Sequence, residues 1–139
     1  MKRVLFDANV VLDVLLDREP HVEASAGAWF YVETGISKGL LSAHAVTTIY
    51  YFVRKEMGAV RAKRVMSTIL RVFTVAAVDA AVIEDALASA LPDFEDAVTA
   101  AAARLAGCDY VLTRDPKGFR GSPVPPLTPQ AALPILRQE

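Results

Sequence analysis

The first hydrophobic run of the chain, Val4-Leu5-Phe6, stops on an acid, Asp7, and turns at once through Ala8-Asn9. A run that short and that apolar reads as a buried strand followed by a turn into a helix. A carboxylate at the tip of a buried strand is costly to place unless something uses it. Two more acidic clusters, Asp93-Phe94-Glu95-Asp96 and Leu112-Thr113-Arg114-Asp115, sit where other apolar segments begin or end. Three acids distant in sequence, each at a segment end, suit a fold that brings them to one edge of a sheet.

The remaining segments support such a layered fold. A short helix is expected over Val10–Leu16, ended by Pro20, and a longer one over 22–38, with Ala26, Trp29, Phe30 and Ile36 inward and Gly39 as its stop. Leu40-Leu41-Ser42 is a second strand. Val46, Ile49, Tyr50, Val53 and Met57 then recur at helical steps until Gly58, and 59–72 form another helix, apolar at Val65, Met66, Ile69 and Leu70. Thr74–Val78 is β-rich. Asp79 caps a helix through about Ala90, and Asp93 caps an alanine-rich helix that runs to about Ala106, after Pro92 breaks the pattern. Residues 109–113 are a strand, 116–127 a proline-rich loop with a possible edge strand, and Thr128-Pro129 opens a last helix. Strands alternating with helices predict an α/β fold in three layers, α/β/α, around a mainly parallel sheet.

Composition narrows the setting. With 139 residues, 53% hydrophobic and 22% charged, the chain suits one globular domain with a real core, spanning 1–139. No apolar run approaches the ~20 residues of a membrane span. The start, Met1-Lys2-Arg3-Val4-Leu5, runs into a strand without a small-residue cleavage site, so no signal peptide is expected. A lone cysteine, Cys108, forms no internal disulfide and fits a reducing cytoplasm. The net charge of −1 predicts no nucleic-acid binding, but Arg54, Lys55, Arg61, Lys63, Arg64 and Arg71 concentrate basic charge in the middle third. A basic patch beside an acidic pocket suits a phosphodiester held by a metal, and a solvated helix face is the plainer reading of the same run.

In an open parallel sheet, ligands bind beyond the carboxyl ends of the strands. Asp7 and Asp115 each follow a strand and belong there. Asp93 and Asp96, three residues apart at a helix start, share a face in a position that favours negative charge. Each acid alone has an ordinary role as cap, dipole partner or turn residue. Together they form an all-oxygen set, which suits Mg²⁺ or Mn²⁺ rather than zinc.

With these motifs in place, the chain resembles the PIN domain family, the nuclease fold of VapC-type toxins. The matching stretches are Phe6-Asp7-Ala8-Asn9-Val10, Leu12-Asp13, Asp93-Phe94-Glu95-Asp96-Ala97, Ala103 to Gly107, and Tyr110-Val111-Leu112-Thr113-Arg114-Asp115 with Phe119 beyond. The resemblance implies a Mg²⁺- or Mn²⁺-dependent endoribonuclease, the toxin of a toxin–antitoxin pair. It implies Asp7, Asp96 and Asp115 as metal ligands, Asp93 as an additional catalytic acid, a homodimer, and a protein antitoxin as partner. Asn9, Thr48, Arg114 and Lys117 are candidates for contacting the RNA, with Arg61, Arg64 and Arg71 as further phosphate-holding candidates. One position departs from the family pattern: Thr48 stands where a glutamate is usual and brings no negative charge. The alternative is therefore a weakly active or inactive PIN-fold module that presents an RNA- or protein-interaction surface. Phosphoryl-transfer α/β folds fit less well: Asn9 stands where a dehalogenase-like phosphatase needs an acid, and residues 4–6 offer no acid pair for a receiver domain.

His21 and His44 have no second histidine or cysteine at ligand spacing and read as capping or surface residues. Cys108 reads as a small buried residue rather than a nucleophile. Of the consecutive aromatics Tyr50, Tyr51 and Phe52, at least one must face away from the core.

Overall fold

A computed structural model describes residues 1–138. Five strands form one parallel sheet: β1 (Arg3–Phe6), β2 (Lys38–Ser42), β3 (Thr74–Ala76), β4 (Tyr110–Leu112) and β5 (Pro126–Leu127). Their order is β3-β2-β1-β4-β5, with Leu5 opposite both Leu40 and Val111. The chain therefore builds outward from β1 on one side, then crosses over to add β4 and β5 on the other.

The pleat sends alternate side chains to opposite faces, and each face has its own core. Val4 and Phe6 of β1, Leu41 and Leu112 pack with α1 (Ala8–Leu15), α2 (Val22–Glu33), α3 (Ala43–Met57), α4 (Ala59–Val72) and α7 (Pro129–Leu136). Leu5, Leu40 and Val111 face the other way, against α5 (Ala80–Leu87) and α6 (Phe94–Leu105). This is the expected α/β/α arrangement. The small side chains of Ala97 and Ala100–Ala103, all buried, let α6 lie close on the sheet.

Three local expectations are corrected. The second helix ends at Glu33, with Gly35 at φ +81°, rather than running to 38. Gly39 is not a helix stop but an interior residue of β2. A Cβ there would stand 2.7 Å from the Phe73 ring and from Val32, so packing rather than a turn excludes a side chain. Phe30 and Leu70, read as inward, are 56% and 49% exposed, while Ala28, Val32, Ala62 and Ile69 fill those faces. Tyr51 and Phe52 point outward, as three aromatics in a row require. Among the described residues, no helix is long and apolar enough to cross a membrane.

A candidate active site at the carboxyl edge of the sheet

After β1 the chain turns to one face, where α1 packs. After β4 it turns to the other, where Phe119 of the 3₁₀ turn Pro116–Phe119 is buried. The two connections diverge from adjacent strands and leave a crevice between them, the place where open α/β sheets bind ligands. A cavity of about 460 Å³ opens there. Asp7, Asp96 and Asp115 line it, together with Asn9, Thr113 and Phe119. His21 and Arg114 complete its wall.

Hydrogen bonds hold the acids in place. The Asp7 amide donates to the Leu112 carbonyl at 2.8 Å, extending the β1–β4 ladder by one residue. The buried Thr113 hydroxyl donates to Asp7 Oδ2 at 3.0 Å and accepts from the Asp115 amide at 3.1 Å, so one side chain ties two acids together. Asp93 is the N-cap of α6, its Oδ1 accepting from the Asp96 amide at 2.9 Å. That bond aims the first turn of α6 at the crevice. Asp93 itself does not line the cavity.

The electrostatics are those of crowded carboxylates. Burial, reinforced by Asp93, Asp7, Glu95 and Asp115, pushes the Asp96 carboxyl up to about 6. Burial also raises Asp7, together with Glu95, against the stabilising Thr113 hydroxyl, the Ala8 amide and His44. Gly118 leaves room for this crowding: a Cβ on it would stand 2.9 Å from Asp96 Oδ2 and 3.6 Å from Asp115 Oδ2.

The donor chemistry fits a hard divalent cation, since the carboxylates that repel one another are those a cation would neutralise. Among the described residues, no three His, Cys, Asp or Glu side chains stand close enough to close a ligand set on one ion. The acids ring the cavity rather than forming a finished cage.

The other candidates are placed as follows. Arg114 has its Nε 3.1 Å from Oδ2 of the fully buried Asp13, an ionic contact without hydrogen-bond alignment. Lys117 is exposed on the 3₁₀ turn. Thr48 is half-buried on α3, one turn beyond His44, and neither lines the cavity. Arg61, Arg64 and Arg71 are solvated on α4, away from it. Burial raises the Cys108 thiol to about 11, which leaves it a poor nucleophile.

Sequence reasoning set aside two histidines that belong to this edge. His21 lines the cavity. His44 sits in the first turn of α3, directly beyond β2, where it feels both Asp7 and Glu95. Burial lowers its pKa, so the neutral ring is favoured. Its Nε2 is 3.4 Å from Thr99 Oγ1, and Thr99 already donates to the Glu95 carbonyl at 3.0 Å. The ring nitrogen is therefore the donor, and the lone pair falls on Nδ1. Two residues past a strand end at the ligand-binding edge was the available signal for His44. His21 had none. Thr113 was visible only as part of the motif Thr-Arg-Asp.

A doubly flanked parallel sheet with an acidic crevice at its switch point defines the class, an α/β protein whose carboxyl edge carries a cluster of acids. The PIN domain family model matches residues 3–117, and the chain belongs to that family. No curated protein matches the chain. Among solved structures, it is similar to a chain of a toxin–antitoxin complex from Klebsiella pneumoniae, at 22% identity and TM-score 0.69, covering 91% of this chain and 97% of that one. It is also similar to FitAcB from Neisseria gonorrhoeae, at 24% identity and TM-score 0.70, with the same coverage. A third is VapC20 of Mycobacterium tuberculosis, described as a toxin that cleaves the sarcin–ricin loop. It matches at 17% identity and TM-score 0.62, covering 78% and 86% of the two chains.

Proposed function

We propose that this protein is a Mg²⁺- or Mn²⁺-dependent endoribonuclease and the toxin of a toxin–antitoxin pair. One observation carries the reading: acids from three separate elements, Asp7, Asp96 and Asp115, line one cavity at the switch point of a PIN fold. The toxin assignment draws on solved structures of the same fold that are titled as toxin–antitoxin proteins.

In this reading Asp7, Asp96 and Asp115 would hold the cation. A divalent cation bound there supplies the charge that polarises a phosphodiester and acidifies a water. Thr113 fixes Asp7 through Oδ2 and so orients its carboxylate. Asp96 exchanges its proton for the cation, whose charge offsets the burial and crowding that raise its carboxyl. Asn9, at the cavity wall, and Lys117, on the adjoining turn, hold the RNA. Asp93 acts through the start of α6 rather than on the substrate. The protein is cytoplasmic and dimeric in this reading, and exposed Phe30, Tyr51 and Phe52 offer apolar surface for a partner subunit or an antitoxin.

The test is cleavage of mixed RNAs with and without Mg²⁺ or Mn²⁺, beside Asp7→Asn. The wild type should cut only with metal. The variant should fall to background while keeping its far-UV circular dichroism, and a variant that cuts at the wild-type rate sinks the site. The second reading, a catalytically weak interaction module, is favoured by Thr48 in the glutamate's place and by the open ligand set. Calorimetry with Mn²⁺ separates the two: no heat that depends on Asp7 selects the module.

A further inference from the structure

A second cavity, of about 330 Å³, lies against the acidic one, and the two share His21 and Arg114 as walls. Its other lining residues are Pro20, Ala24, Thr128, Pro129 and Gln130, with no Asp or Glu among them. The acidic cavity thus opens, past a shared wall that carries Arg114, into a space lined by neutral side chains.

Arg114 is held in place for this role. Asp13, fully buried, holds the guanidinium by charge, its Oδ2 3.1 Å from Nε, and Ser25 Oγ donates to the same Asp13 oxygen at 3.4 Å. The Arg114 side chain is 30% exposed and lines both cavities. Its charge is oriented by the interior and left open to the groove. On the far wall, Thr128 Oγ1 accepts from the Ala131 amide at 3.2 Å, which leaves its own hydrogen to donate. The exposed Gln130 side chain adds an amide.

We propose that single-stranded RNA leaves the acidic cavity across His21 and Arg114, and that the phosphate next to the one being cut sits in this second cavity. The inference rests on the ribonuclease reading and names where its substrate runs. Carboxylates repel every phosphate that no cation neutralises, so the neighbouring phosphate has to lie beyond them. The shared wall leads to the adjoining space without acids. Arg neutralises the phosphate charge, and the hydroxyl and amide position it. Pro20, Ala24 and Pro129 give the sugar an apolar floor.

Arg114 is a poor residue to mutate, because its loss strands a buried carboxylate. Gln130 is exposed and free of that burden. The probe is a fluorescein-labelled single-stranded octaribonucleotide, read by anisotropy in Ca²⁺, a hard cation that takes oxygen ligands and neutralises the acidic cavity, with a gel to confirm that the probe stays intact. Gln130→Glu should weaken binding about five-fold. Gln130→Lys should strengthen it comparably and steepen the salt dependence by about 0.7 in the log–log slope, the value for one added phosphate contact on a single strand. Leu87→Glu, at a position 69% exposed on α5 across the sheet, makes the same single-charge change away from both cavities and should change affinity less than two-fold. The inference is overturned if wild type binds but both Gln130 variants stay within two-fold of it, or if Leu87→Glu weakens binding as much as Gln130→Glu. A wild type that neither binds nor cuts RNA overturns the ribonuclease reading, and this inference with it.

Discussion

The Thr113 hydroxyl donates to one site acid and accepts from the amide of another, so a single buried oxygen sets their spacing. Around it the carboxylates repel. Burial first, and those carboxylates after it, hold the Asp96 carboxyl near 6 in the fold against 3.8 for a free side chain. Between those values the native protein holds a proton that the unfolded chain has released. Stability from this group is therefore lost as pH rises from about 4 to about 6 and is flat above. Urea unfolding in EDTA should show that fall, and Asp96→Asn should remove it. A slope that the variant leaves unchanged would place the strain elsewhere. His44 belongs to this scale too. Its position beyond β2 was legible, but only folding puts its ring within reach of Asp7 and Glu95.

Two short elements carry the site. The first turn of α6 is aimed by its Asp93 cap, and the sequence announced it: Pro92 breaks the previous segment and Asp93 restarts one. The turn after β4 is subtler. Asp-Pro-Lys-Gly reads as an ordinary turn, yet its glycine faces the Asp96 and Asp115 carboxylates. A methyl group there displaces a side-chain end rather than backbone, so Gly118→Ala should leave the unfolding midpoint nearly unchanged. Mn²⁺ affinity should fall about ten-fold by calorimetry, because Asp96 has to move. Equal affinity with equal stability would free Gly118 of any role. The misread elements fail for a complementary reason. The stretch from Thr34 to Gly39 continues a helical pattern locally, but Gly39 pairs in β2, where Phe73 and Val32 leave no space for a Cβ. Nothing in the local sequence announces a neighbour that arrives from residue 73.

Across the fold as a whole, the sheet order decides where the acids meet. β1 lies between β2 and β4, and the chain leaves β1 and β4 toward opposite faces. Asp7 and Asp115, 108 residues apart in number, end up on one crevice because their strands are neighbours. A cation bound there ties α6 to both strands, so it should stabilise the entire fold. At a hundred times its dissociation constant, Mn²⁺ should add about 2.7 kcal/mol in urea unfolding. Asp7→Asn should abolish that gain and be no less stable than wild type in EDTA, since it removes a buried charge. A full Mn²⁺ gain in that variant would mean that the ion binds elsewhere.

The sequence by itself determined the class of fold, most element positions, and the three acids of the crevice. Those follow from local causes: apolar runs of strand length, helical periods, caps at Asp79, Asp93 and Thr128, and acids at segment ends. The tertiary structure alone decided what surrounds those acids. Thr113 as their common brace, His44 and His21 at the same edge, Gly118 beneath two carboxylates, and Arg114 held by buried Asp13 are all contacts between segments distant in the chain. Periodicity reports which side of an element is buried. It carries no record of which other element will cover it.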